Sequence, residues 1–166
     1  MFFYEDLVKN VEKKEVNLDK EKYKFSLNFR TKIIKIGTGL PLILIGLYYM
    51  ADIVNKKLSI SAILGALIFY TGILIVQEVF TFRLIIDKKN DEIITKTFRF
   101  NISSIDSIEL KKMVIPRTKK IEACLDIITV EKKQYIIPLV MNKKIEFCAI
   151  LRELKREKFK IIKDDI

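Results

Sequence analysis

The chain reads as an α+β membrane protein, a two-helix transmembrane hairpin followed by an antiparallel sheet that a C-terminal amphipathic helix closes. Three observations predict it. Leu58 to Gln77 are twenty consecutive uncharged residues, and as a helix they span about 30 Å, the hydrocarbon thickness of a bilayer. Ile36 to Ala51 form a second uncharged run, of sixteen residues, just upstream, and its ends are extended by the snorkelling Lys35 and the boundary residue Asp52. Outside these runs the apolar period falls to two residues and returns to helical spacing near the C-terminus. Three segments follow: a cytoplasmic N-terminal segment, 1–32, with a strand at about 23–29; the hairpin, 33–80, with spans at about 33–52 and 58–79; and a cytoplasmic domain, 81–166.

In the opening segment Phe3, Leu7, Val8 and Val11 have helical spacing. It reads either as a mobile tail or as an interfacial or domain-capping helix. The polar run Glu12 to Glu21 reads as a loop or frayed helix. Tyr23, Phe25, Leu27 and Phe29 then alternate with polar residues, the period of a half-buried strand leading straight into the first span. Those four side chains need a partner, so the strand is expected to pair with the domain beyond the hairpin.

Eleven residues of the Leu58–Gln77 run are Leu, Ile, Phe or Val, together worth about 3 to 7 kcal/mol toward insertion. All five glycines lie in the hairpin. Gly39 and Gly46 are seven apart, as are Gly65 and Gly72, so each pair shares a helix face and lets two backbones approach. Lys35, Asp52 and Glu78 lie near the span ends, which is not the pattern of an ion pathway. Lys20, Lys22, Lys24, Arg30, Lys32 and Lys35 precede the first span, and Arg83, Lys88, Lys89 and Lys96 follow the second. The connecting loop holds Lys56 and Lys57 against Asp52, so both termini are expected in the cytoplasm, in a multi-pass protein of the cell membrane. Met1 to Asp6 lacks a secretory n-region, h-region and cleavage site, which makes the first span an expected uncleaved anchor.

Phe82, Leu84 and Ile86 alternate, and Lys89-Asn90-Asp91 turns the chain into Ile93 to Phe100, a hairpin pattern. Ile105, Ile108 and Leu110 open a run to Ile115 that Pro116 breaks. Ile121 to Val130 alternates again, and a last strand runs from Gln134 to Val140, where Pro138 marks an edge or a bulge. Asn142 is placed as the N-cap of a helix over 143–158, whose stripe is Phe147, Ile150, Leu151 and Leu154. Phe159, Ile161 and Ile162 are expected on the core or on the membrane surface.

Phe82-Arg83-Leu84-Ile85-Ile86-Asp87, the stretch Ile102 to Leu110, and Tyr135-Ile136-Ile137-Pro138-Leu139 before Asn142 and its helix carry a resemblance. In element order over 82–158 the chain resembles a bacterial pleckstrin-homology-like (PH-like) domain, and the preceding hairpin resembles the small membrane-anchored members of that group. The resemblance implies a PH-like sheet closed by its C-terminal helix. The segment is short of strands for a full barrel unless Tyr23 to Phe29 supplies one.

The chain has no histidine, which removes the commonest general base and a leading metal ligand. No phosphate-loop, dinucleotide or nucleophile-elbow pattern occurs, and neither Cys124 nor Cys148 has a Cys-x-x-Cys partner. Both read as buried, reduced thiols. Glu122 and Asp126, four apart, share a strand face that reads as solvated. The expectation is no enzyme, no metal and no cofactor. The net charge of +10 is explained by topology and anionic lipid rather than nucleic acid, since no nucleic-acid module accompanies it.

The residues proposed to touch a headgroup or partner are Lys88, Lys89, Lys111, Lys112, Arg117, Lys119, Lys120, Lys132 and Lys133 at strand ends and turns, with Lys144, Arg152 and Lys155 on the basic face of the helix. No cluster matches the basic-loop motif by which eukaryotic pleckstrin-homology domains hold phosphoinositides. The functional expectation is a non-enzymatic integral membrane scaffold or regulatory subunit. Its alternatives are a sensor of anionic lipid headgroups and an immunity protein against a membrane-active partner. Expected partners are the lipid bilayer, anionic headgroups, and a membrane or cytoplasmic protein.

Overall fold

A computed structural model describes residues 4–55, 60–115 and 121–162. The chain divides into two compact units. One is built from Met1–Ser26 with Arg83–Ile166, the other from Leu27–Phe82.

The second unit is a pair of long helices, α2 (Phe29–Asn55) and α3 (Ile60–Thr81). Asn28 starts α2 by accepting the Thr31 N–H on its Oδ1 at 2.7 Å, a side-chain N-cap. That cap explains why the helix begins at Phe29, earlier than the apolar run implies. The expected strand over 23–29 accordingly ends at Phe25, and Phe29 is 75% exposed rather than inward. Both helices are long and apolar enough to cross a membrane, and only 11% and 17% of their most apolar stretches are buried. A core helix of a soluble protein is mostly covered by its own chain; these are not.

The helices run antiparallel, fixed by an ion pair between Lys35 and Glu78 and by glycine contacts. A Cβ at Gly46 would lie 2.5 Å from the Phe69 nitrogen, and one at Gly72 2.9 Å from the Gly39 carbonyl oxygen. Gly39 and Gly65 are equally crowded, so the seven-residue glycine pairs lie at the helix contact, whereas Gly37 has nothing within 4 Å of a Cβ. Pro41 lies inside α2 and lacks the N–H that would bond the Gly37 carbonyl.

The first unit holds two four-stranded sheets. In one, β1 (Lys22–Phe25), β2 (Leu84–Asp87), β3 (Glu92–Thr95) and β4 (Arg99–Asn101) are neighbours in that order, all antiparallel. Register aligns Tyr23, Ile86, Ile93 and Phe100 in one buried row across the four strands. The strand before the helical hairpin thus pairs with the strand after it. The expected single strand from Ile93 to Phe100 is two strands, because the Thr95 Oγ1 accepts the Phe98 N–H at 3.0 Å and turns the chain between them.

The second sheet has the order β7-β6-β5-β8, with β5 at Ile105–Val114, β6 at Ile121–Thr129, β7 at Gln134–Pro138 and β8 at Phe159–Ile161. Pro138 falls on the edge strand β7. Strand β8 is a finding beyond the sequence reading: it adds to β5 in parallel, with Phe159 opposite Ile108 and Ile161 opposite Leu110.

Helix α4 (Lys144–Leu154) is shorter than the expected 143–158, since a 3-10 turn at Arg156–Lys158 redirects the chain into β8. Asn142 is not its N-cap. Lys143 takes that position with φ 56°, and α4 has no side-chain cap. Phe147 through Leu151 are all fully buried, more than one stripe explains. Phe147 meets Phe25 of β1 edge to face at 5.1 Å. On another side α4 is covered by α1 (Tyr4–Lys13), which buries Leu7, Val8 and Val11; the opening segment is therefore a capping helix.

Candidate functional site

The basic residues singled out in the sequence do not gather into one patch. Lys88 and Lys89 lie in the β2–β3 turn, where the Lys88 ammonium donates to the Leu18 carbonyl and Lys89 approaches Glu21 at 4.0 Å. With the Lys88 N–H donating to Glu21 O at 2.8 Å, they hold the segment that enters β1. Lys132 and Lys133 occupy the β6–β7 turn, Lys132 at φ 62°. Lys132 faces Asp106 at 3.7 Å and Lys133 pairs with Glu131 at 2.7 Å. These exposed pairs are screened by solvent and add little to stability.

Lys111 and Lys112 are not at a strand end or turn; they lie within β5. Lys111 is bound to Asp126 of β6 at 2.7 Å and to Glu109 at 2.8 Å, and both carboxylates hold its ammonium above the usual lysine range, Asp126 more strongly. Gln134 of β7 donates to both Asp126 oxygens at 2.8 Å. Asp126 is 2% exposed, so the solvated carboxylate face expected of Glu122 and Asp126 is corrected. A buried carboxylate needs a cation and donors, and the neighbouring strands supply both. Lys112 stands over the Tyr4 ring, 5.3 Å from its centroid.

On α4, Lys144 is half-buried in the first turn, and Lys155 at the helix end donates to Ser103 O at 3.5 Å. Arg152 departs from the expected open basic face. Its Nη1 donates to Val11 O at 2.5 Å and Glu12 O at 2.7 Å, and its Nη2 to Lys14 O at 2.9 Å. Val11 and Glu12 carry terminal carbonyls of α1, which lack intrahelical partners, and Lys14 directly follows the helix. At the other end of α1 the Tyr4 hydroxyl donates between Leu110 O at 2.7 Å and Ile162 O at 2.8 Å. Arg117, Lys119 and Lys120 lie outside the described residues.

The two thiols are buried and unbridged. Burial pushes Cys148 up to about 12 and Cys124 up to about 11, the latter with help from Glu122 and Asp126. Neither is a thiolate near neutral pH, so neither is a nucleophile there.

Several cations elsewhere have no side-chain partner among the described residues, Lys24 and Arg83 among them. Arg30 and Lys32, in the first turn of α2, make no side-chain hydrogen bond or ion pair among the described residues. Sequence reasoning counted them toward topology and not as contacts. That neither side chain finds a partner is visible only in three dimensions.

No family model, curated protein or solved structure matches the chain.

Proposed function

We propose that this chain is an integral membrane protein of two spans, with both termini in the cytoplasm, that presents a PH-like domain as a non-enzymatic scaffold or regulatory subunit. The observation that carries the reading is the exposure of the helical hairpin. Leu44, Leu67 and Tyr70 are 67%, 59% and 60% exposed, and contiguous apolar surface of that extent calls for a lipid or protein cover. Support for the PH-like domain comes from β1, which supplies from before the hairpin the strand that the segment after it lacks, and from α4, which follows the last strand of the β5-β6-β7 run.

The β1–β2 ladder also gives the proposed role a mechanical basis. Each of these paired strands leads within a few residues into one helix of the hairpin. A domain anchored through both strands of a ladder is tethered at two points rather than by a single flexible linker. Partner binding would then use the remaining surface of the sheets and of α4.

Alkaline carbonate should leave the protein in the membrane fraction, and release would sink the reading. For topology, single cysteines at positions 55 and 90 can be probed with an impermeant maleimide in intact cells, with the buried native thiols as a silent background. Labelling at 55 and not at 90 is expected; the reverse overturns the orientation. A scaffold should also co-purify with one fixed protein from cross-linked native membranes at high salt.

A further inference from the structure

We infer that the base of the helical hairpin is a binding site for anionic lipid, with Arg30 and Lys32 as its phosphate-contacting side chains; this rests on the membrane reading above. At this end of the unit α2 begins and α3 ends, as the Lys35–Glu78 pair requires. Phe29 and Phe80 are 75% and 77% exposed there, phenyl rings that belong against acyl chains. Arg30 directly follows Phe29 and Lys32 lies within the same turn, which puts both cations at headgroup depth.

Charge selects the lipid class. The base carries Arg30, Lys32 and Lys35 against Glu78, and Glu78 is taken by Lys35. Two cations therefore remain uncompensated. The helix dipoles do not change this balance, because the positive end of α2 and the negative end of α3 lie together and offset one another. The basic turns of the other unit offer less: Lys88, Lys132 and Lys133 are already engaged by carbonyl or carboxylate oxygens.

The test is native mass spectrometry of the full-length protein in detergent, titrated with phosphatidylglycerol and with phosphatidylcholine. Two basic residues at the membrane surface correspond to a preference of about thirtyfold for the first phosphatidylglycerol bound. The double variant R30Q/K32Q should lose most of it, R30K/K32R should keep it, and K132Q/K133Q should keep it. Inorganic phosphate should not displace the lipid. The inference is overturned if the parent shows no preference, if R30Q/K32Q retains it, if the turn variant loses it, or if phosphate competes. Carbonate-resistant protein without lipid preference would defeat this inference alone, whereas carbonate release would defeat the membrane reading with it.

Discussion

Arg152 gathers three backbone carbonyls at the end of α1, and a guanidinium is the one side chain whose fork of donors suits that task. Arg152→Ala should cost about 1.5–3 kcal/mol, the range for hydrogen bonds to a charged group. The loss should be local. Amide exchange in residues 4–13 should quicken, and Cys148 on the adjoining helix should become accessible to a thiol reagent; unchanged exchange in α1 would refute the staple. Asp87 is a second such residue. It pairs with Lys22 at 2.8 Å and accepts from Asn90. The Lys22 hydrogen bond foremost, with Asn90, holds its carboxyl below the usual range against the opposing effect of burial. The folded state then binds this proton less readily than the unfolded chain. Its contribution is complete above the ordinary carboxylate pKa and is lost as pH falls through the lowered folded value. Asp87→Asn should melt lower than the parent at pH 7, and the gap should close on acidification. A gap that persists at the acid end would contradict the linkage.

Among the elements, the helical hairpin is the one whose packing rests on absent side chains. At Gly46 an added methyl would meet the backbone of Phe69, with its Cα 2.7 Å away, and backbone cannot rotate aside as a side-chain tip can. Gly46→Ala should destabilise the helix pair by about 1–3 kcal/mol, as overpacking does. Gly37→Ala meets nothing within 4 Å and should be neutral or stabilising by up to about 1 kcal/mol, because glycine is a poor helix former. Thermal unfolding in one detergent would compare the two, and equal effects would dismiss the close approach. These glycine contacts were legible from sequence spacing alone. The three-residue strand β8 was not: Phe159-Lys160-Ile161 carries too little alternation to separate a strand from a helix end, and its partner β5 lies about fifty positions earlier.

At the scale of the molecule, the register of β1 with β2 predicts that the two units are separable. Phe25 pairs with Leu84 in an antiparallel ladder, so Ser26 and Arg83 lie where a two-residue turn can join them. Replacing 27–82 by Asn-Gly, the dipeptide suited to a type I′ hairpin, should give a chain that is soluble without detergent and keeps its mixed α+β circular dichroism and cooperative melting. An aggregated or unfolded product would show that the hairpin is needed for the fold. The excised chain would also provide the sheet-bearing unit for partner searches free of lipid.

The sequence by itself determined the elements whose signature is local: two uncharged helical runs, paired glycines, strands of period two, and the stripe Phe147, Ile150, Leu151 and Leu154 on α4, of which Leu154 is only half-buried. Periodicity and hydrophobicity act between residues a few positions apart, and one chain displays them directly. Tertiary structure alone decided which polar groups were taken. Arg152 reaches Val11 across 141 positions and Tyr4 reaches Ile162 across 158, and Asp126 is buried because Lys111 and Gln134 arrive on neighbouring strands. A lysine or arginine looks the same in sequence whether it faces water, a carboxylate or a carbonyl. Only the fold sets its partner.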